Sequence, residues 1–325
     1  MYSAEDIKEL VEKSLKGIQY PDGPQDLYAP VTYSLSIGGK RIRPILSLLS
    51  CNLFTDRVTD KCVLPATGLE IFHCFTLVHD DIMDKADMRR NQPSIHKKWN
   101  INTAILSGDA MCIESYKLMC YAETAKLSEI LQSFNKAALS VCEGQQYDMN
   151  YENKTTVTED DYLKMIELKT AALISVSTKI GAILGGAPSS DIDRLTRLGH
   201  NLGLAFQIQD DILDSYSDSK KMGKDTGLDI ANNKKTYLLT AAIRLAKGEQ
   251  KKKLISLMND KNILFEQKYS GVREIYDNLK VKDLAEAKVK EYFAVVEDEL
   301  KAVDVKPERK NYFKEFIDSL FGRQK

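Results

Sequence analysis

Leu77-Val78-His79-Asp80-Asp81-Ile82-Met83-Asp84 and Phe206-Gln207-Ile208-Gln209-Asp210-Asp211-Ile212-Leu213-Asp214 are two versions of one pattern, D-D-x-x-D set in an apolar run. Asp80 and Asp84 are four residues apart, so on a helix they share a face one turn from each other. Asp210 and Asp214 are related in the same way. Like charges at that spacing cost a helix a few tenths of a kcal/mol, and burying them unpaired costs several more. A counter-cation removes both penalties. Hard carboxylate oxygens without paired Cys or His suit Mg²⁺ or Ca²⁺, and Mg²⁺ completes its shell with water and substrate phosphates. Phe75, Leu77, Val78, Phe206 and Ile208 belong in a core. Two copies 130 residues apart therefore read as metal-holding helices and not as solvated acidic faces.

The remainder of the chain is also helical in pattern. Seventeen glycines and eight prolines make up under 8% of the 325 residues, against about 12% in average usage. No proline occurs between Pro188 and Pro307. Ile7, Leu10, Val11, Leu15 and Ile18 form the stripe of an opening helix. Leu118, Met119, Ala122 and Ala125 continue a pattern begun near Ala104. Ile192, Leu195, Leu198, Leu202 and Ala205 repeat at helical steps, as do Tyr292, Phe293, Val296 and Leu300. Thr158 with Asp161 forms a capping signal, Ser189 to Asp193 marks another helix start, and Pro307 opens the last helix, which ends near Phe321-Gly322. Strict alternation bounded by hairpin turns is missing, so β content is expected to be very small. With no repeat and no long linker, residues 1–325 read as a single all-α domain.

Charge and cysteine usage exclude several classes. Lys plus Arg number 46 and Asp plus Glu 47, giving a net charge of −1. That balance argues against nucleic-acid binding. A hydrophobic content of 43% argues against disorder. The six cysteines have no C-x-x-C spacing, and the charged N-terminus lacks the apolar core of a signal peptide. Thr170 to Pro188 is too short and broken for a membrane span. The expectation is a soluble cytoplasmic protein with mostly buried free thiols. Lys251-Lys252-Lys253 reads as solvated surface.

Basic residues answer the acidic clusters. Gly38-Gly39-Lys40-Arg41-Ile42-Arg43-Pro44 joins a flexible turn to three cations at a helix start, which offers N–H groups and positive charge to an anion. Arg89-Arg90 follows the first cluster, and an arginine fork suits phosphate. Lys169-Thr170 lies in an apolar helix. Gly223-Lys224-Asp225-Thr226 and Asn232-Asn233-Lys234-Lys235 follow the second cluster. Metal-requiring acids with phosphate-type cations point to a diphosphate substrate.

The motifs GGKRIRP, HCFTLVHDDIMD with MRRNQP, GDA at Gly108 to Ala110, LKTAAL, FQIQDDILD, GKDTGLDI and NNKKTYL follow one another over residues 38 to 238. In that order they resemble the trans-isoprenyl diphosphate synthases of the polyprenyl synthetase family. The resemblance implies an isoprenoid-synthase helical bundle with a central active-site cavity. It implies a homodimer and head-to-tail condensation of an allylic diphosphate (dimethylallyl, geranyl or farnesyl) with isopentenyl diphosphate. About three Mg²⁺ would serve each site, two on Asp80 and Asp84 and one on Asp210, supported by Asp81, Asp211 and Asp214. Arg89, Lys169 and Lys224 would clamp the allylic diphosphate, with Thr170, Gln207 and Lys234 nearby. Lys40, Arg43, His73 and Arg90 would hold isopentenyl diphosphate. His79, directly before Asp80, would be structural or would support the metal-holding residues from behind. His73 stands where some relatives use Gln, and Asn91 replaces a glycine often found after the arginine pair.

Product length follows from the residues four, five and eight before Asp80, which the family uses as the floor of the chain pocket. Here these are Thr76, Phe75 and Phe72, which helical geometry puts on one side. One aromatic five before and a small Thr four before favour a short chain, C20 slightly ahead of C15. Alternatives are a longer-chain synthase, a class I terpene cyclase or a non-catalytic synthase subunit. A cyclase would carry a different second metal motif, and such a subunit would have lost its acidic motifs.

Overall fold

The computed structural model describes residues 1–322 except 153, 155, 218–226 and 261. It is all-α apart from one two-stranded hairpin among the described residues. Contacts divide the chain into two compact units. The first holds Met1–Lys136, Leu173–Gly199 and Glu299–Ser319, and the second Ala137–Ala172, His200–Asp298 and Leu320–Lys325.

In the first unit, α1 (Ala4–Gly17) starts on a Ser3/Asp6 capping box and buries Ile7, Val11 and Leu15. It is followed by α2 (Gln25–Ser36), α3 (Ile42–Phe54) and α4 (Asp60–Met83). Helix α3 is buried almost all round, which makes it a core helix rather than an amphipathic surface one. Helix α4 packs most extensively along α6 (Ile101–Met119), with Leu69, Ile71 and Phe72 facing inward. Each such side chain contributes about 1.5–3 kcal/mol on burial. Strands β1 (Met88–Arg89) and β2 (Gln92–Pro93) pair antiparallel with Arg89 opposite Gln92, and a short α5 (Ile95–Lys98) follows.

The hairpin is the element the sequence pattern did not announce. Its two turn residues are Arg90 at φ 51° and Asn91 at φ 61°. Positive φ at both positions is the primed-turn geometry that matches strand twist. Asn adopts such a conformation more readily than most residues other than glycine.

The helix pattern over 104–125 is also interrupted. Helix α6 stops at Met119 and α7 (Thr124–Glu152) begins five residues later. Cys120, Tyr121 and Ala122 donate three residues back, to Lys117, Leu118 and Met119, a tightened last turn that closes a helix without glycine or proline.

The second unit holds α8 (Glu159–Ile166), entered through the expected Thr158/Asp161 capping box, and a π turn over Glu167–Ala171. Next come α9 (Ala172–Gly185), α10 (Ser189–Tyr216), α11 (Leu228–Ala231) and α12 (Tyr237–Leu245). Then α13 (Gly248–Asn259), α14 (Phe265–Leu279), α15 (Val281–Ala302) and α16 (Pro307–Phe321) complete the chain. Of these, α9 after Ala172, residues 189–199 of α10, residues 299–302 of α15 and most of α16 fall in the first unit. The second unit's core gathers Tyr162, Ile208, Ile212, Tyr237, Leu238 and Tyr276.

Cys51, Cys62 and Cys74 are buried, but Cys112 is half-buried and Cys120 and Cys142 are exposed, so half of the thiols depart from the expected burial. Cys120 is exposed because it lies in the turn after α6. Lys251 to Lys253 are exposed as expected. Two runs, Asp60–Met83 and Glu159–Gly185, are apolar and long enough to cross a membrane, but 67% and 61% of their most apolar windows are buried in the protein.

Candidate active site

The first unit assembles its site from the C-terminal half of α4, the hairpin and the Gly38–Arg43 segment. Asp81 is 4% exposed and accepts from Arg89 Nε at 2.9 Å and from the same residue's Nη2. Burial raises the Asp81 carboxyl above its usual range, opposed by Arg89. Arg89 also lies 3.8 Å from Asp80. Asp80 is half-buried and Asp84, which ends α4, is exposed. The middle aspartate thus organises the arginine, and the outer two carry their charge on the more open helix face.

Arg90 donates to the carbonyl of Gly38. Its guanidinium lies against Gly39, whose φ of 152° is a backbone conformation that favours glycine. Arg43 has a buried Nε with no hydrogen-bond partner, and burial pushes it down to about 10. An uncompensated buried donor of this kind fits an anionic ligand. Burial, then Arg43, Arg90, Arg89 and Arg41, hold His73 well below its ordinary value. His73 is therefore a neutral ring that donates from one nitrogen. Lys40 is exposed at the same loop. His79 Nε2 lies 3.1 Å from the Ile105 carbonyl, and Gly108 leaves the space its ring occupies, since a Cβ there would be 2.3 Å away. These contacts hold the His79 ring against α6.

Below this cluster four aromatic rings follow one another. Phe75 lies 5.3 Å from Phe72, Phe72 lies 5.1 Å from Phe134, and Phe134 lies 4.9 Å from Tyr116. Phe72 is buried and Phe75 and Thr76 are half-buried, with Thr76 Oγ1 donating to the His73 carbonyl. Phe134 and Tyr116 continue the ring contacts of Phe72 and carry no motif that would have marked them.

In the second unit Asp211 is 3% exposed and accepts three hydrogen bonds: Tyr162 hydroxyl at 2.6 Å, Gln207 Nε2 at 3.1 Å and Tyr237 N–H at 3.1 Å. Burial and Asp229 push it up to about 7. Thr170 Oγ1 donates to Gln207 Oε1 at 2.8 Å, so Thr170, Gln207, Asp211 and Tyr162 form one chain of bonds. Asp210 is exposed. Asp214 accepts the Asp229 N–H at 3.0 Å, and burial followed by Asp229 pushes it up to about 6. Asp229 itself lies 3.8 Å from Lys234.

Lys169 and Thr170 sit on the π turn, a helix irregularity frequent at functional sites. Helix α7 makes room for it at Gly144, where a Cβ would come 2.3 Å from Lys169 N. Lys169 Nζ lies 2.7 Å from Asp148 Oδ2. Asp148 and Tyr162 were not among the sequence candidates. Asp229 stood inside the quoted GKDTGLDI motif without a role. Lys224 lies outside the described residues.

Among the described residues no three carboxylate, His or Cys side chains converge on one point. Neither cluster is a cage, which fits Mg²⁺, an ion that takes one or two carboxylates and draws the rest of its shell from water and phosphate. The four carboxylates Asp210, Asp211, Asp214 and Asp229 gathered beside Lys234 favour a cation. Buried helices that each carry a D-D-x-x-D whose middle acid is locked, with arginine or lysine alongside, define an isoprenoid-synthase type of enzyme. A family model for polyprenyl synthetase matches residues 24–278, and the chain belongs to that family. It is 37% identical over 263 residues to the short chain isoprenyl diphosphate synthase of Methanocaldococcus jannaschii, covering 80% of this chain and 79% of that one. It is 34% identical to the geranylgeranyl pyrophosphate synthase of Geoglobus acetivorans, covering 98% and 97%. A crystal structure of a geranylgeranyl pyrophosphate synthase superposes with a TM-score of 0.94 at 34% identity, covering all of both chains.

Proposed function

We propose that the chain is a trans-prenyltransferase joining an allylic diphosphate to isopentenyl diphosphate head to tail, with a C20 prenyl diphosphate as its main product. The observation that carries this reading is the pair of D-D-x-x-D helices, complete in both copies, in a chain of the polyprenyl synthetase family.

Asp80, Asp84 and Asp210 would hold Mg²⁺, with Asp81, Asp211 and Asp214 as supports. When bound, the metal offsets the charge that builds on the departing diphosphate. Arg89, Lys169, Lys224 and Lys234 add fixed positive charge for the allylic diphosphate, which lowers the barrier to C–O cleavage. Thr170 and Gln207, bonded to each other, would stand beside that diphosphate. Lys40, Arg43, His73 and Arg90 hold the second diphosphate, and the double bond of isopentenyl diphosphate attacks the allylic cation. The released diphosphate takes the final proton, so no side-chain base is required.

Phe75 and Phe72, backed by Phe134, set the chain floor, and Thr76 leaves depth beyond that of a paired-aromatic floor. The exposed stripe Ile105, Leu106 and Ile113 on α6, at 41%, 59% and 70% exposure, supports a homodimer. Sedimentation of the pure protein tests the dimer, and condensation assays with each allylic starter test the activity.

A further inference from the structure

Arg41 stands between Lys40 and Arg43, yet its surroundings are the opposite of theirs. It is 2% exposed, while Lys40 is exposed and Arg43 keeps a buried Nε without a partner. Each nitrogen of its guanidinium is engaged. Nε donates to Glu12 Oε1 at 2.8 Å, Nη1 to Glu70 Oε1 at 2.9 Å and Nη2 to the Leu35 carbonyl at 2.9 Å. These partners belong to α1, α4 and α2. Three of its five N–H groups are taken and its side chain is wholly buried, so Arg41 is not a phosphate contact despite its place in a basic motif.

The backbone at Arg41 is left-handed, with φ 50° and ψ 36°, and no side chain caps α3 there. A non-glycine residue keeps that conformation only where its surroundings over-determine it. The three-way anchor supplies that constraint. Glu70, itself 1% exposed, lies three residues before His73 on α4. One buried fork therefore ties the Lys40–Arg43 segment to the turn of α4 that presents His73.

We propose that Arg41 is a positioning residue that sets Lys40 and Arg43 against His73 for the diphosphate of isopentenyl diphosphate. The proposal rests on the reading of those three residues given above. A lysine at 41 keeps the charge but is a single point donor without the planar fork. It cannot reach Glu12, Glu70 and Leu35 together. Glu70→Gln keeps one acceptor oxygen for Nη1, removes the charge and turns the second oxygen into an amide NH₂.

The test is steady-state kinetics on Arg41→Lys and Glu70→Gln, with each diphosphate varied in turn and thermal unfolding measured alongside. Arg41→Lys is expected to raise the KM for isopentenyl diphosphate roughly tenfold or more. The allylic KM and the kcat at saturation stay within about twofold of the parent. Glu70→Gln shifts the same KM by a smaller factor. A folded Arg41→Lys protein with an unchanged isopentenyl diphosphate KM overturns the proposal. So does a parallel loss in both KM values and kcat, which is the mark of a merely structural role. If Arg41→Lys does not fold, Glu70→Gln decides by the same criteria. A parent protein that condenses nothing would instead remove the functional reading beneath it.

Discussion

The ammonium of Lys169 sits 2.7 Å from Asp148 Oδ2, where the π turn after α8 meets α7 across Gly144. Both side chains are largely buried, at 22% and 14% exposure, so the carboxylate fixes the lysine in place more firmly than a surface ion pair would. Asp148→Asn is expected to lower kcat/KM for the allylic substrate roughly tenfold or more, through misplacement of Lys169. The KM for isopentenyl diphosphate should not change. Equal kcat/KM in variant and parent would show that Lys169 needs no such support.

The two kinds of aspartate in the second motif should separate in a stability assay. Asp211→Ala strands the Tyr162 hydroxyl, the Gln207 amide and the Tyr237 N–H. The buried Tyr162 and Tyr237 groups left unpaired cost about 1–3 kcal/mol each, so the loss should be about 2 kcal/mol or more in denaturant unfolding. Asp210 is exposed, and Asp210→Ala should change stability by less than about 0.5 kcal/mol. Its turnover should nevertheless fall on the order of a hundredfold or more. Matching stability losses in the two variants would contradict this division.

A pH dependence follows from the same carboxylates. Asp211 is pushed up to about 7 and Asp214 up to about 6, from 3.8 in an open chain. Between about pH 4 and pH 7 the folded state then binds more protons than the unfolded one, and stability falls as pH rises. Mg²⁺ favours the charged forms and offsets that loss. In chelator, the parent should lose Tm from pH 5 to pH 7 more steeply than Asp211→Asn or Asp214→Asn. Added Mg²⁺ should flatten the parent's slope. Identical slopes in all three proteins would rule out these two groups as the source.

The chain floor is tested by Phe75→Ala. Phe75 packs 5.3 Å from Phe72 and 4.8 Å from His79, so its removal opens space directly below the first motif. The main product should lengthen by at least one isoprene unit, read by chromatography of the dephosphorylated products. Thermal stability should fall by less than the about 3–5 kcal/mol typical of a fully buried Phe, because Phe75 is only half-buried. An unchanged product spectrum would remove Phe75 from the floor.

Much of this was readable from residue order. The i, i+4 aspartates, the capping box at Thr158 and the breakers before Ser189 are local signals, and the structure keeps them. The losses were non-local or lacked punctuation. The hairpin turns on Arg90-Asn91, a pair without the glycine that usually marks such a turn. The end of α6 has no glycine or proline. Asp148 stands far in sequence from Lys169, Tyr162 far from Asp211, and Phe134 far from Phe72, so only the fold brings them together. Arg41 reads in sequence like its basic neighbours, and only burial distinguishes it.

The most direct measurement is incubation of the folded protein with isopentenyl diphosphate, Mg²⁺ and, in turn, dimethylallyl, geranyl and farnesyl diphosphate, followed by chromatography of the dephosphorylated products. Mg²⁺-dependent condensation with a C20 alcohol as the main product is expected, and it should stop with chelator. Failure to condense with any starter, with folded protein and metal present, would contradict the assignment.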